Sequence, residues 1–437
     1  MYRNIAIIAA ILLAWWLPLM AQNDSGISTS PDMSILDSLI AMALEANPKL
    51  QAQRDGYQMA EYNRKATGWL PDPSVSVGLM NVPYDSWAID QSPMSALAIG
   101  ITQKVPWPGK LANQKGIAGL NVKTSELMVQ SSQNRMIHDL KSAYYDYSYY
   151  VLAESIIDDN IALLQSLVEV SQTKYANGDG LATDVLKAQT ELSVMQNKRL
   201  EIERLRKQAA GDINVLIDRS PGFRDDYPVY LPETLPDSLA AGLILAEAEQ
   251  YNPILAMSNT QVHLAEKQKA LAKSDYWPEL MLGFQYQIKD RIPAVTESGK
   301  DFISASVGLS IPLWFFHNQN NNFKSARSRL NMVQNNHDAY KRDLENQLYD
   351  TTWELDRLRE SYRLYDQTIT AQVQAMFESA NIAYQVGKID FISLIEAQRQ
   401  LYEIQINRLM IIRDYHKTYA SLEELIGVAR ATPPGAK

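Results

Sequence analysis

The sequence contains no cysteine among its 437 residues. This absence excludes disulfide bridges, thiolate metal sites and a lipidated N-terminal cysteine. The chain also lacks a basic excess, because 41 lysine and arginine residues stand against 50 aspartate and glutamate residues, a net charge of −9. Nothing in this balance indicates nucleic-acid binding. Beyond Met20, no stretch is long and apolar enough to cross a bilayer as a helix.

The N-terminus has the layout of a secretory signal peptide. Arg3 supplies positive charge, residues 5–20 are apolar, and the small residue Ala21 precedes a polar segment. The alternative is a transmembrane anchor, but the apolar stretch is shorter than the ~20 residues that a spanning helix needs. We therefore predict a signal peptide over 1–21 and export of the chain.

Proline is missing from two long stretches, between Pro108 and Pro221 and between Pro312 and Pro433. The second stretch holds a single glycine, Gly387, before Gly427. Runs without helix breakers predict long helices. A helix from residue 316 to 384 would be roughly 100 Å long at 1.5 Å per residue, so it must pack lengthwise against neighbours. Apolar residues at heptad distance indicate interrupted coiled-coil packing.

The two halves of the chain repeat each other. "YANGDGLATDVLKAQTEL" at 175–192 matches "YQVGKIDFISLIEAQRQL" at 384–401, with an offset of 209 residues. Asn47-Pro48 likewise parallels Asn252-Pro253. Each half reads as helix, short proline-bounded segment, long helix, tip and returning helix. We predict a signal peptide (1–21), a first repeat (22–220), a linker (221–236), a second repeat (237–428) and a disordered tail (429–437).

Glycine marks the tips of the two helical hairpins, because it supplies the positive φ that ends a helix. Gly178 and Gly180 predict the first tip at 176–182, and Gly387 predicts the second at 385–390. Thr183 or Asp184, and Asp390 in the second half, stand where an N-cap would start the returning helix.

Short segments between the helices alternate apolar and small polar residues with a period of two, which predicts β-hairpins at 74–105 and 279–312. Each strand has about ten residues, enough to cross a bilayer when tilted. The alternation alone fits a soluble sheet slightly better, but the export signal and flanking aromatic residues favour the membrane. The tryptophans expected at the membrane interface are Trp69, Trp107, Trp277 and Trp314.

A membrane location would require oligomerisation. An open strand edge in lipid leaves backbone groups unsatisfied, and four strands cannot close a barrel. Two copies give eight strands, whose interior is normally filled by side chains, whereas three copies give twelve and leave a lumen. We therefore expect a homotrimer, with serine, glycine, threonine and glutamine lining a weakly selective pore.

The remaining residues give no sign of catalysis. The five histidines are scattered without the i,i+4 spacing of a helical metal site, and no nucleophile elbow, phosphate-binding loop or zinc motif is present. We expect no enzyme activity, no cofactor and no metal ligands. The run "AYYDYSYY" at 143–150 places tyrosines all round a helix, so some are expected to meet neighbouring subunits.

These residues resemble the TolC family of trimeric outer-membrane efflux ducts over roughly 34–428. The two tips and the strand entries at Pro71 and Pro278 carry the likeness. "WLPDPSVSVGLMNVP", "QKVPWPGKLANQKG" and "GKIDFISLIEAQRQL" are most similar to the heavy-metal branch of CusC and CzcC type. The resemblance implies a mixed, mostly α fold: a trimeric periplasmic α-barrel of long coiled helices, continued by a twelve-stranded transmembrane β-barrel in the outer membrane of a Gram-negative bacterium.

The resemblance also implies roles for the tips. They would close the duct and dock a periplasmic membrane-fusion adaptor, which links to an inner-membrane pump, most readily of the RND type. Glu396 falls where the family often carries an acid near the constriction, and Ser393 occupies another such position. Asp390 reads either as a helix cap or as a gate residue, and Asp184 is a further gate candidate. The expected docking residues are Gly178, Asp179, Gly180, Leu181, Gly387, Lys388, Ile389 and Asp390.

The function expected from this resemblance is a passive exit duct for heavy-metal cations or small toxic compounds. Two alternatives remain open: the outer-membrane duct of a type I protein or peptide secretion system, and a soluble periplasmic coiled-coil scaffold.

Overall fold

A computed structural model describes residues 33–235, 241–292 and 299–428. The predicted signal peptide and C-terminal tail lie outside the described residues. In the first half, α1 (Met33–Ala46) and α2 (Pro48–Ala66) precede β1 (Ser74–Met80) and β2 (Ala96–Val105), and α3 (Lys110–Ala176) and α4 (Ala182–Leu216) come after them. The second half has the same order: α5 (Ala241–Tyr251), α6 (Pro253–Ser274), β3 (Glu279–Ile288), β4 (Phe302–Ser310), α7 (Asn318–Leu364), α8 (Thr370–Gln385) and α9 (Phe391–Ile426).

The four strands form one antiparallel sheet in the order β1-β2-β3-β4. The register brings most of the large apolar residues of all four strands to the same face, as in the row Val77, Ile99, Tyr286 and Ile303. The next row, Ser76, Gly100, Gln285 and Ser304, lies on the opposite face. The alternation read from the sequence is therefore confirmed as a two-faced sheet, with most of its large apolar side chains exposed in the single chain.

The long helices are close to the predicted lengths. Helix α3 has 67 residues, which at 1.5 Å per residue is about 100 Å. Its counterpart, predicted as one helix over 316–384, is α7 and α8 joined by a π-helical turn, Tyr365–Ile369. The Thr370 hydroxyl donates to the Tyr365 carbonyl oxygen across this turn (2.7 Å). One extra residue per turn rotates the faces of α8 relative to those of α7.

The asparagine of each Asn-Pro pair forms equivalent hydrogen bonds in the two halves. Asn47 Oδ1 accepts from the Lys49 backbone N–H (2.9 Å), while its Nδ2 donates to the Leu216 carbonyl at the end of α4 (2.9 Å). Asn252 Oδ1 accepts from the Leu255 N–H (2.7 Å), and its Nδ2 donates to the Leu425 carbonyl near the end of α9 (2.6 Å). Each asparagine therefore starts one helix and satisfies the end of another.

The linker between the halves is extended and packs along α3. The Tyr144 hydroxyl donates to the Pro228 carbonyl (2.8 Å), and the Tyr147 hydroxyl accepts from the Tyr227 N–H (2.8 Å). Tyr144, Tyr145, Tyr147 and Tyr149 are all buried within the single chain. These four tyrosines are already covered by the linker and α9 within one chain, and the half-buried Tyr150 stays the candidate of the run for a contact with a neighbouring subunit.

Candidate functional site

The two hairpin tips have the same backbone structure. Gly178 and Gly387 adopt φ +81° and +74°, the left-handed conformation that glycine accepts without strain. The Gly178 and Gly387 N–H groups donate to the carbonyls of Tyr175 and Tyr384, each at 3.1 Å. The next residues along, Asp179 and Lys388, donate to carbonyls five residues back, at 2.9 and 2.8 Å. These are the paired hydrogen bonds of a Schellman motif, and they end α3 and α8 at the tips.

The returning helices begin differently at the two tips. Asp390 is the N-cap of α9, since its Oδ1 accepts from the Ser393 backbone N–H (2.9 Å) and from the Ser393 hydroxyl (2.6 Å). These hydrogen bonds, chiefly that from the Ser393 hydroxyl, hold the pKa of Asp390 below its usual value. In the first half the N-cap is Leu181, which forms no side-chain cap hydrogen bond. The prediction of Thr183 or Asp184 as that cap is wrong, because α4 already begins at Ala182.

A lysine of the first hairpin contacts the end of the second. Lys174 Nζ donates to the Tyr384 carbonyl oxygen (2.7 Å) and lies 4.4 Å from the centre of the Tyr384 ring. The buried Tyr384 ring packs against Phe391 at a centroid distance of 5.4 Å. Burial, and then the nearby carboxylate of Asp184, raise the pKa of Tyr384. The two tips are thus linked within one chain, by a contact that the sequence repeat did not predict.

A groove of about 360 Å³ lies between α4 and α9 next to the tips. Glu396 is exposed on its wall, close to Ile392 and Arg399. Arg399 forms an ion pair with Glu191 across the groove. The groove is lined by Leu186, Lys187, Thr190, Glu191, Ile392, Ile395, Glu396 and Arg399. Glu396 therefore faces a cleft between the two hairpins, next to a cation.

The predicted tip residues are surface residues in the single chain. Asp179, Leu181, Lys388 and Asp390 are exposed, and Ile389 is half-buried. Asp390 and Ser393 are bonded to each other as a cap, whereas Asp184 lies on the partly buried side of α4. Among the gate candidates, the structure therefore assigns the Asp390–Ser393 pair a capping contact and leaves Glu396 to face the groove.

The four tryptophans lie side by side at one end of the sheet, where they form a belt across the strand ends. Trp69 precedes β1, Trp107 follows β2, Trp277 precedes β3 and Trp314 follows β4, and the antiparallel register puts these four strand ends side by side. Trp107 and Trp277 stack with ring centroids 4.8 Å apart. The long helices join the sheet at this end. Tyr84 and Trp87, both exposed, lie in the loop at the opposite end of the strands.

The described residues contain neither a helical membrane span nor a metal cluster. None of the helices in the described ranges combines the length and the apolar character needed to cross a membrane. Within the same ranges, no group of three or more histidine, aspartate or glutamate side chains is arranged to hold a metal ion.

Part of the chain matches known proteins in sequence. Residues 244–428 match the family described as "Outer membrane efflux protein". The cobalt-zinc-cadmium resistance protein CzcC of Cupriavidus metallidurans is 23% identical over 195 residues, which cover 45% of this chain. The match spans 44% of the length of CzcC, less than half of that relative.

The likeness to solved structures covers nearly the whole chain. The outer-membrane channel OprN superposes with a TM-score of 0.78 at 16% identity, over 92% of this chain and 91% of OprN. CusC, whose structures describe transmembrane channel formation, superposes with a TM-score of 0.75 at 14% identity, over 90% of this chain and 92% of CusC. At these identities the superpositions show the fold. Residues 244–428 thus match the outer membrane efflux protein family in sequence, and nearly the whole chain has the fold of outer-membrane channels, as the resemblance in the sequence implied.

Proposed function

We propose that the protein is the passive exit duct of a tripartite efflux system. The observation that carries this proposal is the sheet: four antiparallel strands with one apolar face and two unpaired outer edges, joined directly to helices about 100 Å long. In lipid the outer backbone edges of β1 and β4 need partners. A sheet of this kind is incomplete as a single copy.

The strand order suits closure by identical neighbours. Strands β1 and β4 run in opposite directions, so β1 of one copy can pair antiparallel with β4 of the next. Three copies would close a twelve-stranded barrel with the serine and glycine face inside and the apolar face toward lipid. The helices would continue this barrel into the periplasm. We therefore propose a homotrimer as the functional assembly.

The tips are the proposed contact with partners. Exposed tip residues, Leu181 and Lys388 among them, would dock a periplasmic adaptor, and an inner-membrane pump of RND type would supply the energy. An adaptor opens the duct only if it binds open tips more tightly than closed ones. The Lys174–Tyr384 contact belongs to the tip arrangement seen here, so it is one of the interactions that a change of tip conformation would alter.

The proposed cargo is heavy-metal cations or small toxic compounds, supported by the 23% identity to a cobalt-zinc-cadmium resistance protein. A duct for type I protein or peptide secretion would use the same fold. A pull-down of the crosslinked assembly distinguishes the two, since it recovers either an RND-type pump or an ATP-driven exporter.

The tip role is tested with Gly387→Pro. Proline fixes φ near −65°, whereas Gly387 has φ +74°, and it removes the N–H that donates to the Tyr384 carbonyl. We expect efflux to be lost in cells that carry the adaptor and pump, while the crosslinked trimer keeps wild-type yield. Gly387→Ala is the graded control: its methyl group meets no heavy atom within 4 Å, so it adds only about 1–2 kcal/mol of backbone strain.

Two further controls separate the outcomes. Gly56→Ala, on α2 with nothing within 4 Å of its added methyl, should leave both efflux and trimer unchanged. Normal export by Gly387→Pro would refute the docking role of this tip. Release of the wild-type protein from membranes by carbonate would instead support a soluble scaffold and refute the duct.

A further inference from the structure

One cavity at the junction of helices and sheet combines a cation with three aromatic rings. It measures about 460 Å³ and is lined by Lys273, Tyr276, Trp277 and Phe323. Tyr276 and Phe323 meet edge to face with centroids 6.5 Å apart, while Trp277 stacks on Trp107. Helix α6 ends at Ser274 and β3 begins at Glu279, so the cavity lies at the tryptophan belt.

The same zone carries unpaired positive charge. Helix positions within ten residues of the belt lie within roughly 15 Å of it, at 1.5 Å per residue. Five lysines of α3, α6 and α7 lie four to ten residues from a belt tryptophan, and none of them forms an ion pair with an acid in the part of the chain that the structure describes: Lys115, Lys267, Lys269, Lys273 and Lys324. Lys110, by contrast, is held by Asp275 (2.8 Å) and Glu279 (3.0 Å).

This concentration of charge differs from the chain as a whole, whose net charge is −9. Basic side chains attract anionic lipid surfaces over about one Debye length, roughly 8–10 Å, and Lys273, four residues before Trp277, falls within that distance of the belt. An aromatic pocket with one ammonium group also matches the two parts of a phospholipid: a phosphodiester for the lysine, and glycerol and acyl carbons for the rings.

We propose that this cavity binds the headgroup of an anionic phospholipid in the periplasmic leaflet, with the phosphodiester on Lys273 and the glycerol region against Tyr276, Trp277 and Phe323. The other four lysines would raise the local concentration of anionic lipid around it. The proposal rests on the proposed membrane position of the sheet. The proposal goes beyond that position because it names a lipid class and a binding site, at the end of the barrel next to the helices.

Lys273 also has a simpler role available. It lies in the last turn of α6, where a cation compensates the helix dipole. That role predicts an effect on stability and none on lipid preference. A second copy of the chain covering the cavity would likewise remove any difference between lipid classes.

The test is a competition between lipids on the full-length protein reconstituted in phosphatidylcholine vesicles. Brominated phosphatidylglycerol or brominated phosphatidylcholine is titrated in, and quenching of tryptophan fluorescence gives the relative binding constant of the two lipids. We expect wild-type protein to prefer phosphatidylglycerol. Lys273→Gln should lower this preference about fivefold, which corresponds to about 1 kcal/mol per lysine at a membrane surface.

Matched variants make the result specific. Lys273→Arg keeps the charge and should keep the preference. Lys49→Gln removes an exposed lysine at the start of α2, remote from the belt in sequence and fold, and should behave as wild type. Inorganic phosphate should not displace the lipid; if it does, the site is a free-phosphate site and the proposal is wrong.

The experiment distinguishes failure of the proposed duct from failure of the proposed lipid site. Vesicle flotation before each titration shows whether the protein is inserted, and failure to insert contradicts the duct itself. Inserted protein with equal affinity for the two lipids, or Lys273→Gln with the wild-type preference, contradicts only the lipid site.

Discussion

His416 makes the stability of the helical region dependent on pH in a way that can be calculated. Its ring is 4% exposed, stacks on Tyr145 at a centroid distance of 4.9 Å, and lies 2.8 Å from the Pro232 carbonyl oxygen through Nε2. Burial, reinforced by the nearby Lys141 ammonium, lowers the pKa of His416 to about 4 from an ordinary value of 6.5. The Pro232 carbonyl acts in the opposite direction but does not offset the burial.

The direction of the effect is set by proton binding. Between pH 6.5 and 4 the unfolded chain binds a proton at His416 and the folded chain does not, so acid favours the unfolded state. The contribution of His416 to stability is fully present above pH 6.5 and is lost as the pH falls toward 4. Using pKa values of 6.5 and 4, the loss between pH 7 and pH 5 is about 2 kcal/mol.

The measurement is thermal unfolding at pH 7, 6 and 5, for wild type and His416→Gln. The glutamine amide can donate to the Pro232 carbonyl but does not titrate. At about 2 cal/mol/K per residue, 2 kcal/mol corresponds to a Tm change of roughly 2 °C in a chain of this size. Wild type should therefore lose about 2 °C more than His416→Gln between pH 7 and pH 5.

The control is His263→Gln, which removes a histidine whose side chain is 57% exposed on α6. This variant should keep the wild-type dependence on pH. Parallel Tm curves for wild type and His416→Gln would show that His416 is protonated as readily in the folded chain as in the unfolded one. The burial argument would then be wrong.

Two further predictions concern the contacts between elements. Asn252→Ala and Asn47→Ala should each destabilise the chain by about 2–4 kcal/mol, from a lost cap and a carbonyl left without its donor, and urea unfolding measures this loss; an effect at only one of the two would contradict their equivalence. Lys174→Met should loosen the tips by about 1–2 kcal/mol, so amide exchange near Gly178 and Gly387 should accelerate roughly 5- to 30-fold. Unchanged exchange would show that the contact does not hold the tips together.

The sequence predicted those features that depend on local backbone chemistry. Alternation placed the strands nearly residue for residue, because a period of two has only one register that keeps the apolar set on one face. Gly178 and Gly387 marked the tips because few other residues accept their φ. Asp390 was a reasonable cap because its oxygen can reach the N–H three residues on.

Features that depend on distant partners could not be read in this way. Lys174 and Tyr384 are 210 positions apart, and the contact has no second copy in the repeat from which it could have been predicted. The linker has no periodicity, so nothing indicated that it would cover the tyrosines of α3. The π turn at Tyr365–Ile369 lies in a stretch without proline or glycine, so no residue of the sequence predicted an interruption of the helix there.

The two tips share a backbone fold, but the helices that return from them differ in how firmly their first turns are held. Asp390 fixes the start of α9 with two side-chain hydrogen bonds, and Gln398, buried two turns later, donates to Asn160 Oδ1 of α3 at 2.7 Å. In the first half, Leu181 caps α4 without a side-chain bond, and Gln189, the counterpart of Gln398, is exposed. Because helix ends without side-chain caps leave orphan N–H groups, α4 should fray at its start more readily than α9. Amide hydrogens in the first turn of α4 should therefore exchange faster than those in the first turn of α9, and equal exchange rates would show that the Asp390 cap does not hold its helix end more firmly.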